Sequence, residues 1–184
     1  MLEGVLAYIG IGSNLDNPLR YCRESIDRLS GVAGIAVERI SSFYKTEPVI
    51  SDSSIREHHQ ELEKQNWYIN AVAEIRTTLL PGDLLQVLRD IENKMGRVRT
   101  FAGAPRIIDL DLLLYGQDII HDAALTVPHA EMHKRLFVLE PMCEIASYLI
   151  HPVFGVSMRG LKERLGDQKI VEYYRPGTAG DYDY

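Results

Sequence analysis

Three arginines and two aspartates lie close together in one short stretch of the chain. Arg97, Arg99 and Arg106 precede an apolar strand pattern that carries Asp109 and Asp111. Because side chains alternate along a strand, both carboxylates are expected on one face, with their Cα atoms roughly 6.5 Å apart. Paired carboxylates suit Mg²⁺, which fills its other positions with water and phosphate, and arginine binds phosphate oxygens bidentately. The stretch indicates phosphate chemistry with a divalent cation.

A simpler interpretation of the same aspartates is a solvated strand face paired with nearby arginines. An isolated Asp-x-Asp pattern would favour that interpretation, because such pairs are common. The three upstream arginines favour a phosphate site instead. In either case Leu110, Leu112 and Leu114 are expected to face the opposite side and enter a core.

Length and charge limit the classes of function. With 184 residues, 46% of them hydrophobic, the chain is expected to form one domain over residues 1–170, followed by a flexible tail over 171–184. The formal net charge of −6 argues against a general nucleic-acid binder, which needs a basic surface. A basic loop in an acidic protein points to a small anionic ligand.

The cysteines and the N-terminus predict a soluble cytoplasmic protein. Cys22 and Cys143 are far apart and show no metal-binding spacing, which is typical of a reducing compartment. The apolar run at residues 5–11 is too short to span a membrane and lacks signal-peptide features. We therefore expect no membrane association. No coiled-coil pattern or long exposed apolar face is evident, so we also expect a monomer.

Hydrophobic periodicity, together with the residues that start and end helices, predicts the elements that position the charged stretch. Strands are predicted at residues 5–11, 35–45, 67–76 and 107–115, with one helix from Asn17–Pro18 to Gly31 and another from Pro81 to Gly96. This β-α-β-β-α-β order predicts an α+β, ferredoxin-like fold with an antiparallel sheet and two helices on one face. Helical patterns at residues 128–133, 137–146 and 157–165 are expected to cover the other face, giving α-β-α layers.

Other patterns carry weaker signals. The polar segment at residues 46–66 is too long for a simple turn and is either a mobile lid or a surface insertion. The turn after the first strand starts like a dinucleotide fingerprint, but Leu15 occupies the third glycine position. His129 and His133 are spaced by four residues without the glutamate of a zinc protease, so zinc is not expected there.

Six ordered blocks make the sequence resemble a known family. They are IGSNL at residues 11–15, SSFYKT at 41–46, YINAV at 68–72, GRVR at 96–99, PRIIDLD at 105–111 and LTVPH at 125–129. Together they resemble the 6-hydroxymethyl-7,8-dihydropterin pyrophosphokinases of folate biosynthesis. A chance match to one block is easy, whereas a match to all six in order is specific.

The resemblance implies transfer of a pyrophosphoryl group from the co-substrate ATP to the pterin hydroxymethyl oxygen, with release of AMP. It implies that Asp109 and Asp111 bind two Mg²⁺ ions and that Arg97 and Arg106 act in catalysis. It assigns the ATP site to Glu92, Arg99, Thr126 and His129, and the pterin site to Thr46, Val49, Tyr68, Asn70 and Phe137.

Two alternatives belong to other classes. One is a different nucleotide-dependent transferase on the same scaffold, which release of ADP rather than AMP would reveal. The other is an RNA-binding or regulatory ferredoxin-like module, whose basic, aromatic sheet surface the sequence lacks.

Overall fold

A six-stranded antiparallel sheet forms the middle layer of the molecule. The computed structural model describes residues 3–48, 65–98, 104–166 and 170–174. The sheet order is β5-β1-β4-β3-β8, β2 also pairs with β4, and β6 and β7 form a separate ribbon. The strands are β1 Val5–Ser13, β2 Ile35–Ile40, β3 Phe43–Thr46, β4 Tyr68–Thr77, β5 Asp109–Tyr115, β6 Ile120–His121, β7 Thr126–Val127 and β8 Ile170–Tyr174.

Helices cover both faces of the sheet. The α-helices are α1 Pro18–Ser30, α2 Pro81–Lys94, α3 Leu136–Ala146 and α4 Met158–Lys162, with a 3₁₀ turn at Met132–Lys134. One core cluster joins α1 and α2 to one sheet face, and a second joins α3 and α4 to the other. The predicted α+β, ferredoxin-like fold with a second helical layer is confirmed.

Both helices of the first layer begin and end where the sequence predicts. The Asn17 side chain accepts a 3.2 Å hydrogen bond from the Arg20 backbone N–H at the start of α1, with Pro18 at the first helical position. After α2, Gly96 adopts a φ of +88°, which L-residues rarely adopt. The turn at Gly96 leads the chain directly into Arg97.

The single strand predicted at residues 35–45 is instead two strands, β2 and β3, separated by Ser41 and Ser42. Ile40 pairs with Ala73 and Tyr44 pairs with Asn70. The chain therefore advances four residues from β2 to β3, while the paired residues on β4 are only three apart. The extra residue is a bulge. The Ser41 hydroxyl accepts a 2.9 Å hydrogen bond from the Val72 backbone N–H, and this bond replaces part of the strand ladder.

A second bulge corrects the prediction for Leu114. Tyr8 pairs with Leu114 and Ile9 with Leu112, which leaves Leu113 as an extra residue in β5. Leu110 and Leu112 therefore lie in the α1–α2 core, as predicted, but Leu114 lies in the α3–α4 core. One inserted residue exchanges the faces of every side chain beyond it.

The C-terminal part also departs from the predictions. Residues 171–174, which we assigned to a flexible tail, belong to β8 and pair with β3; residues 175–184 lie outside the described part. The helical pattern at residues 128–133 yields only the short 3₁₀ turn. Of the predicted 46–66 segment, residues 49–64 lie outside the described part. No helix among the described residues is long and apolar enough to cross a bilayer.

Candidate active site

The two aspartates lie side by side at the start of β5, as their spacing predicts. Arg97 and Arg106 both form ion pairs with Asp109, one with each carboxylate oxygen. The side chains of Arg97 and Arg106 are only 12% and 23% exposed, so both cations are partly withdrawn from water. Asp109 is the point at which the predicted acid and arginine groups meet.

A buried glutamate on α2, Glu92, contacts both Arg97 and the backbone of β5. Glu92 is 2% exposed, forms an ion pair with Arg97, and accepts a 2.8 Å hydrogen bond from the Leu110 backbone N–H. Charge-assisted bonds of this kind fix geometry strongly. Glu92 thus ties α2, Arg97 and β5 together.

Asp111 faces His129 and is also influenced by the charges of Arg135 and Arg106. Its Oδ2 lies 3.9 Å from Nε2 of His129, whose backbone N–H donates a 2.9 Å bond to Leu113. Burial and the neighbouring Asp109 raise the pKa of Asp111, while His129 and Arg135 act in the opposite direction. The carboxylate pair is a site where added positive charge is favoured.

The pairing of strands places the pterin candidates on the same sheet face. Gly12 pairs with Asp109 on one side and with Asn70 on the other, and Asn70 pairs in turn with Tyr44. Neighbouring strands are about 4.8 Å apart, so the Cα atoms of Asp109 and Asn70 are separated by roughly 10 Å. Gly12 between them leaves an open strip of backbone.

Asn70 and Tyr68 have polar partners on this face. The Asn70 amide donates a 2.7 Å hydrogen bond to the Thr46 hydroxyl. Burial raises the pKa of Tyr68, although the positive charge of Arg106 opposes the rise. The predicted pterin residue Tyr68 and the predicted phosphate cation Arg106 therefore interact electrostatically.

The helical layer contributes an aromatic ring and a further cation to the same side of the sheet. Phe137, in the first turn of α3, packs against the second core cluster. The Arg135 guanidinium carbon lies 5.7 Å from the centre of the Phe137 ring. An aromatic face and a cation are thus placed beside the carboxylate pair.

A family model decides to which group this chain belongs. The model described as 7,8-dihydro-6-hydroxymethylpterin-pyrophosphokinase (HPPK) matches residues 8–147. The chain belongs to this family.

Named relatives agree with the HPPK assignment. A 2-amino-4-hydroxy-6-hydroxymethyldihydropteridine pyrophosphokinase from Haemophilus influenzae is 38% identical over 91% of this chain and 98% of its own length. The enzyme of the same name from Bacillus subtilis is 39% identical over 76% of this chain and 77% of its own length. A folic acid synthesis protein from Pneumocystis carinii is 34% identical over 92% of this chain, which spans 21% of that protein.

Solved structures support the fold of this HPPK chain. A Plasmodium falciparum HPPK-DHPS crystal structure matches with a TM-score of 0.67 and 14% identity. The match covers 88% of this chain and 45% of the other. At this identity the likeness concerns the fold alone.

The structure brings together most, but not all, of the predicted site residues. Asp109, Asp111, Arg97, Arg106, Glu92, His129, Thr46, Tyr68, Asn70 and Phe137 have the contacts and positions given above. Val49 and Arg99 lie outside the described residues. Thr126 lies in β7, and within the described part of the chain no hydrogen bond joins its side chain to the carboxylate pair.

Two residues near the site were not assigned a role from the sequence. Asn14 lies inside the quoted block IGSNL, and its side chain bonds the backbone N–H of Arg106. Arg135 lies two residues before Phe137, and its charge acts on Asp111. The position of Arg135 two residues before a predicted ligand residue was the available signal, whereas the contacts of Asn14 are long-range and have no local pattern.

Proposed function

We propose that the chain transfers a pyrophosphoryl group from ATP to the hydroxymethyl group of 6-hydroxymethyl-7,8-dihydropterin in folate biosynthesis. The products are the pterin diphosphate and AMP. The hydroxymethyl oxygen attacks the β-phosphorus, the bond from that phosphorus to the oxygen of the α-phosphate breaks, AMP leaves with that oxygen and its electron pair, and the hydroxyl proton passes to solvent. The observation that carries the proposal is the meeting of Asp109, Arg97 and Arg106 on the face that carries Asn70, in a member of the HPPK family.

Asp109 and Asp111 fit the proposed Mg²⁺ site. They are adjacent oxygen donors on one strand face, and burial, followed by repulsion from Asp109, raises the pKa of Asp111. Within the described residues no cluster of three or more candidate ligand side chains is found, so water and phosphate oxygens would complete the shell, as is common for Mg²⁺. Two bound ions would neutralise charge on the polyphosphate.

Arg97 and Arg106 are the proposed catalytic cations. Both now bond Asp109, so use of that carboxylate as a metal ligand requires an exchange of partners. Phosphate oxygens are suitable new partners, because a guanidinium group binds them in the same bidentate way. The two arginines would then stabilise negative charge as the bond to the α-phosphate breaks.

The residues proposed for the ATP side of the site have two roles, contact with the nucleotide and positioning of Arg97. We assign His129 and Thr126 to nucleotide contacts, together with Arg99. Glu92 acts chiefly by positioning Arg97, because its carboxylate is buried against that guanidinium group and the β5 backbone. This role explains the acid at that position without requiring that it touch the nucleotide.

The pterin is proposed to bind over the strip between β5 and β3. An amide such as Asn70 can both donate and accept hydrogen bonds at a pyrimidine edge, and Thr46 orients that amide. Tyr68 and Phe137 are the proposed stacking rings for the flat heterocycle, with Val49 at the pocket border. The charge of Arg106, which acts on Tyr68, would favour an orientation with the hydroxymethyl end of the ligand towards the phosphates.

Product analysis tests the function directly. The protein is incubated with ATP, Mg²⁺ and 6-hydroxymethyl-7,8-dihydropterin, and the nucleotides are separated. We expect AMP and the pterin diphosphate in equal amounts, and no AMP when the pterin is left out. Release of ADP would identify a different nucleotide-dependent transferase and would contradict the proposal.

Three broader properties accompany this proposal. We propose that residues 1–170 act as one catalytic domain, with β8 extending the sheet a few residues further. We also propose that the domain works as a monomer and in the cytoplasm. Sedimentation at micromolar concentration, with and without nucleotide, tests the monomer.

A further inference from the structure

The side chain of Asn14, at the end of β1, is bonded to the segment that carries Arg106. Asn14 is 1% exposed. Its Oδ1 accepts a 2.8 Å hydrogen bond from the Arg106 backbone N–H, and its own backbone N–H donates a 3.2 Å bond to the Arg106 carbonyl. The backbone at Arg106 is therefore held to β1 on both sides.

The other end of the same amide is directed at the segment leading into β4. Nδ2 of Asn14 donates to the Gln65 Oε1 at 3.3 Å and to the Asn66 carbonyl at 3.4 Å. The Tyr68 hydroxyl donates to the same Gln65 oxygen at 3.5 Å. A hydrogen-bonded chain thus runs from Arg106 through Asn14 and Gln65 to Tyr68.

We propose that Asn14 is a positioning residue that couples the phosphate side of the site to the pterin side. The proposal rests on the proposed function, in which Arg106 exchanges Asp109 for phosphate. A movement of the Arg106 backbone changes the hydrogen bond to Oδ1, and the rigid amide passes the change to Gln65 through Nδ2. An amide suits this task because it carries an acceptor and donors on one planar group.

The junction joins the buried side chain of Asn14 to a segment in which Gln65 is partly exposed and Asn66 is exposed. Asn14, Gln65 and Asn66 border a cleft of about 380 Å³ that Trp67 also lines. A segment beside open space can shift when its hydrogen bonds change, whereas a densely packed segment resists such a shift. Residues 65 and 66 therefore have room to shift into the cleft when their hydrogen bonds change.

Trp67 provides a direct readout of the junction. It is the only tryptophan in the chain and directly follows Asn66. Because side chains alternate along the chain into β4, Trp67 faces the side of Ile69 and the first core, opposite Tyr68 and Asn70. A ligand on the site face would lie on the side of the sheet opposite Trp67, so a change in its fluorescence is expected to report movement of the 65–67 segment.

The test is titration with Mg²⁺ and a non-hydrolysable ATP analogue, followed by Trp67 emission and, separately, by calorimetry. We expect wild-type emission to change with nucleotide. Asn14→Asp keeps an oxygen for the Arg106 N–H but loses the donor to Gln65. In that variant we expect affinity for the analogue within about threefold of wild type, loss of the emission change, and kcat/KM for the pterin lowered on the order of tenfold.

Two further variants control the test. Ser13→Ala alters the neighbouring buried side chain, whose hydroxyl has no hydrogen-bond partner within the described residues, and should respond as wild type does. Gln65→Ala removes the acceptor without changing β1, so it should also lose the emission change and serves if Asn14→Asp unfolds.

The outcomes separate this proposal from the proposed function. If the wild type binds the analogue without any emission change, or both Asn14→Asp and Gln65→Ala respond as wild type does, the coupling role of Asn14 is wrong. If the wild type binds no analogue in calorimetry, the proposed function itself fails, and the coupling role fails with it.

Discussion

Asn70 donates a 2.7 Å hydrogen bond from its side-chain amide to the hydroxyl of Thr46, across the pairing of β4 with β3. Asn70 is 6% exposed and Thr46 is 3% exposed, so the bond lies almost out of reach of water. Neutral hydrogen bonds that are shielded in this way orient an amide firmly. Because one amide N–H of Asn70 is bonded to Thr46, the bond determines which donor and acceptor atoms of Asn70 remain for a ligand.

Removal of either partner should weaken the binding of pterin more than that of ATP. Asn70→Ala should raise the KM for the pterin by on the order of tenfold or more, because one lost buried hydrogen bond costs about 1 to 3 kcal/mol. Thr46→Val, which keeps the shape of Thr46, should show a smaller effect of the same kind. Steady-state kinetics with each substrate varied in turn provides the measurement. Equal losses for both substrates would argue against a pterin role.

Gly12 should tolerate no side chain. A Cβ atom added to Gly12 would lie 2.8 Å from Oδ1 of Asn70, which is closer than real Cβ contacts allow. Gly12→Ala should therefore displace the Asn70 amide and raise the KM for the pterin several-fold. Gly82→Ala is the matched control, because an added Cβ there meets nothing within 4 Å. We expect this control to keep wild-type kinetics and to gain up to about 1 kcal/mol of stability from helix propensity.

Asp111 should be needed for binding but not for folding. Asp111→Asn removes one of two adjacent like charges, so we expect a melting temperature no lower than that of wild type. Calorimetric affinity for Mg²⁺ with the ATP analogue should fall about a hundredfold or more, since a metal ligand is lost. Asp118→Asn removes the same charge from an exposed turn and should leave that affinity unchanged. Normal nucleotide affinity in Asp111→Asn would overturn the assignment of Asp111 as a metal ligand.

Arg106 should act mainly on the chemical step. Arg106→Ala should lower kcat on the order of a thousandfold if its charge stabilises the transition state, with a smaller change in KM. Arg106→Lys should recover part of this loss through charge alone. Arg76→Ala, which removes an arginine paired with Glu38 at the far end of β4, is the control and should keep the wild-type kcat. A change confined to KM would mark Arg106 as a ground-state contact.

Glu74 should make folding stability depend on pH in the acid range. Burial acts to raise the pKa of Glu74, but hydrogen bonds from Arg39 and Tyr8 outweigh it and leave the pKa below the usual 4.5. A carboxyl group with a lowered folded pKa adds stability above its unfolded pKa and loses that contribution as the pH falls through the folded pKa. Glu74→Gln should therefore lower the melting temperature at pH 7 by roughly 2 to 4 °C, and by less as the pH falls below 4.5.

A matched charge change checks the Glu74 result. Glu163→Gln removes the same negative charge from an exposed pair with Arg159, whose two side chains are 60% and 59% exposed. Exposed ion pairs contribute little to stability, so its melting temperature should follow wild type at every pH. Parallel loss of stability in both variants would point to net charge rather than to the bonds of Glu74.

The two bulges account for the strand features that were predicted wrongly from the sequence, namely the single strand at residues 35–45 and the face of Leu114. The stretch at residues 35–45 is rich in β-branched and aromatic residues and predicts one strand, and no glycine or proline marks a break at Ser41 and Ser42. The break is stabilised by contacts with distant residues, since Glu144 accepts a 2.7 Å bond from the Ser42 backbone N–H. Leu113 is likewise one apolar residue among several, and only the pairing with β1 shows that it is the extra one.

The sequence by itself determined the order of the core elements β1, α1, β4, α2 and β5, and the shared strand face of Asp109 and Asp111. These features depend on local rules, namely the helix start at Asn17, the turn at Gly96 and the alternation of side chains. Only the tertiary structure decided that Arg97 and Arg106 share Asp109 and that Asn14 lies between Arg106 and Gln65. The physical reason is that Asn14 is 92 residues from Arg106 and 51 from Gln65, so chain closure and packing select these contacts, while the choice of Asp109 by both arginines depends on how the loop after α2 returns to β5.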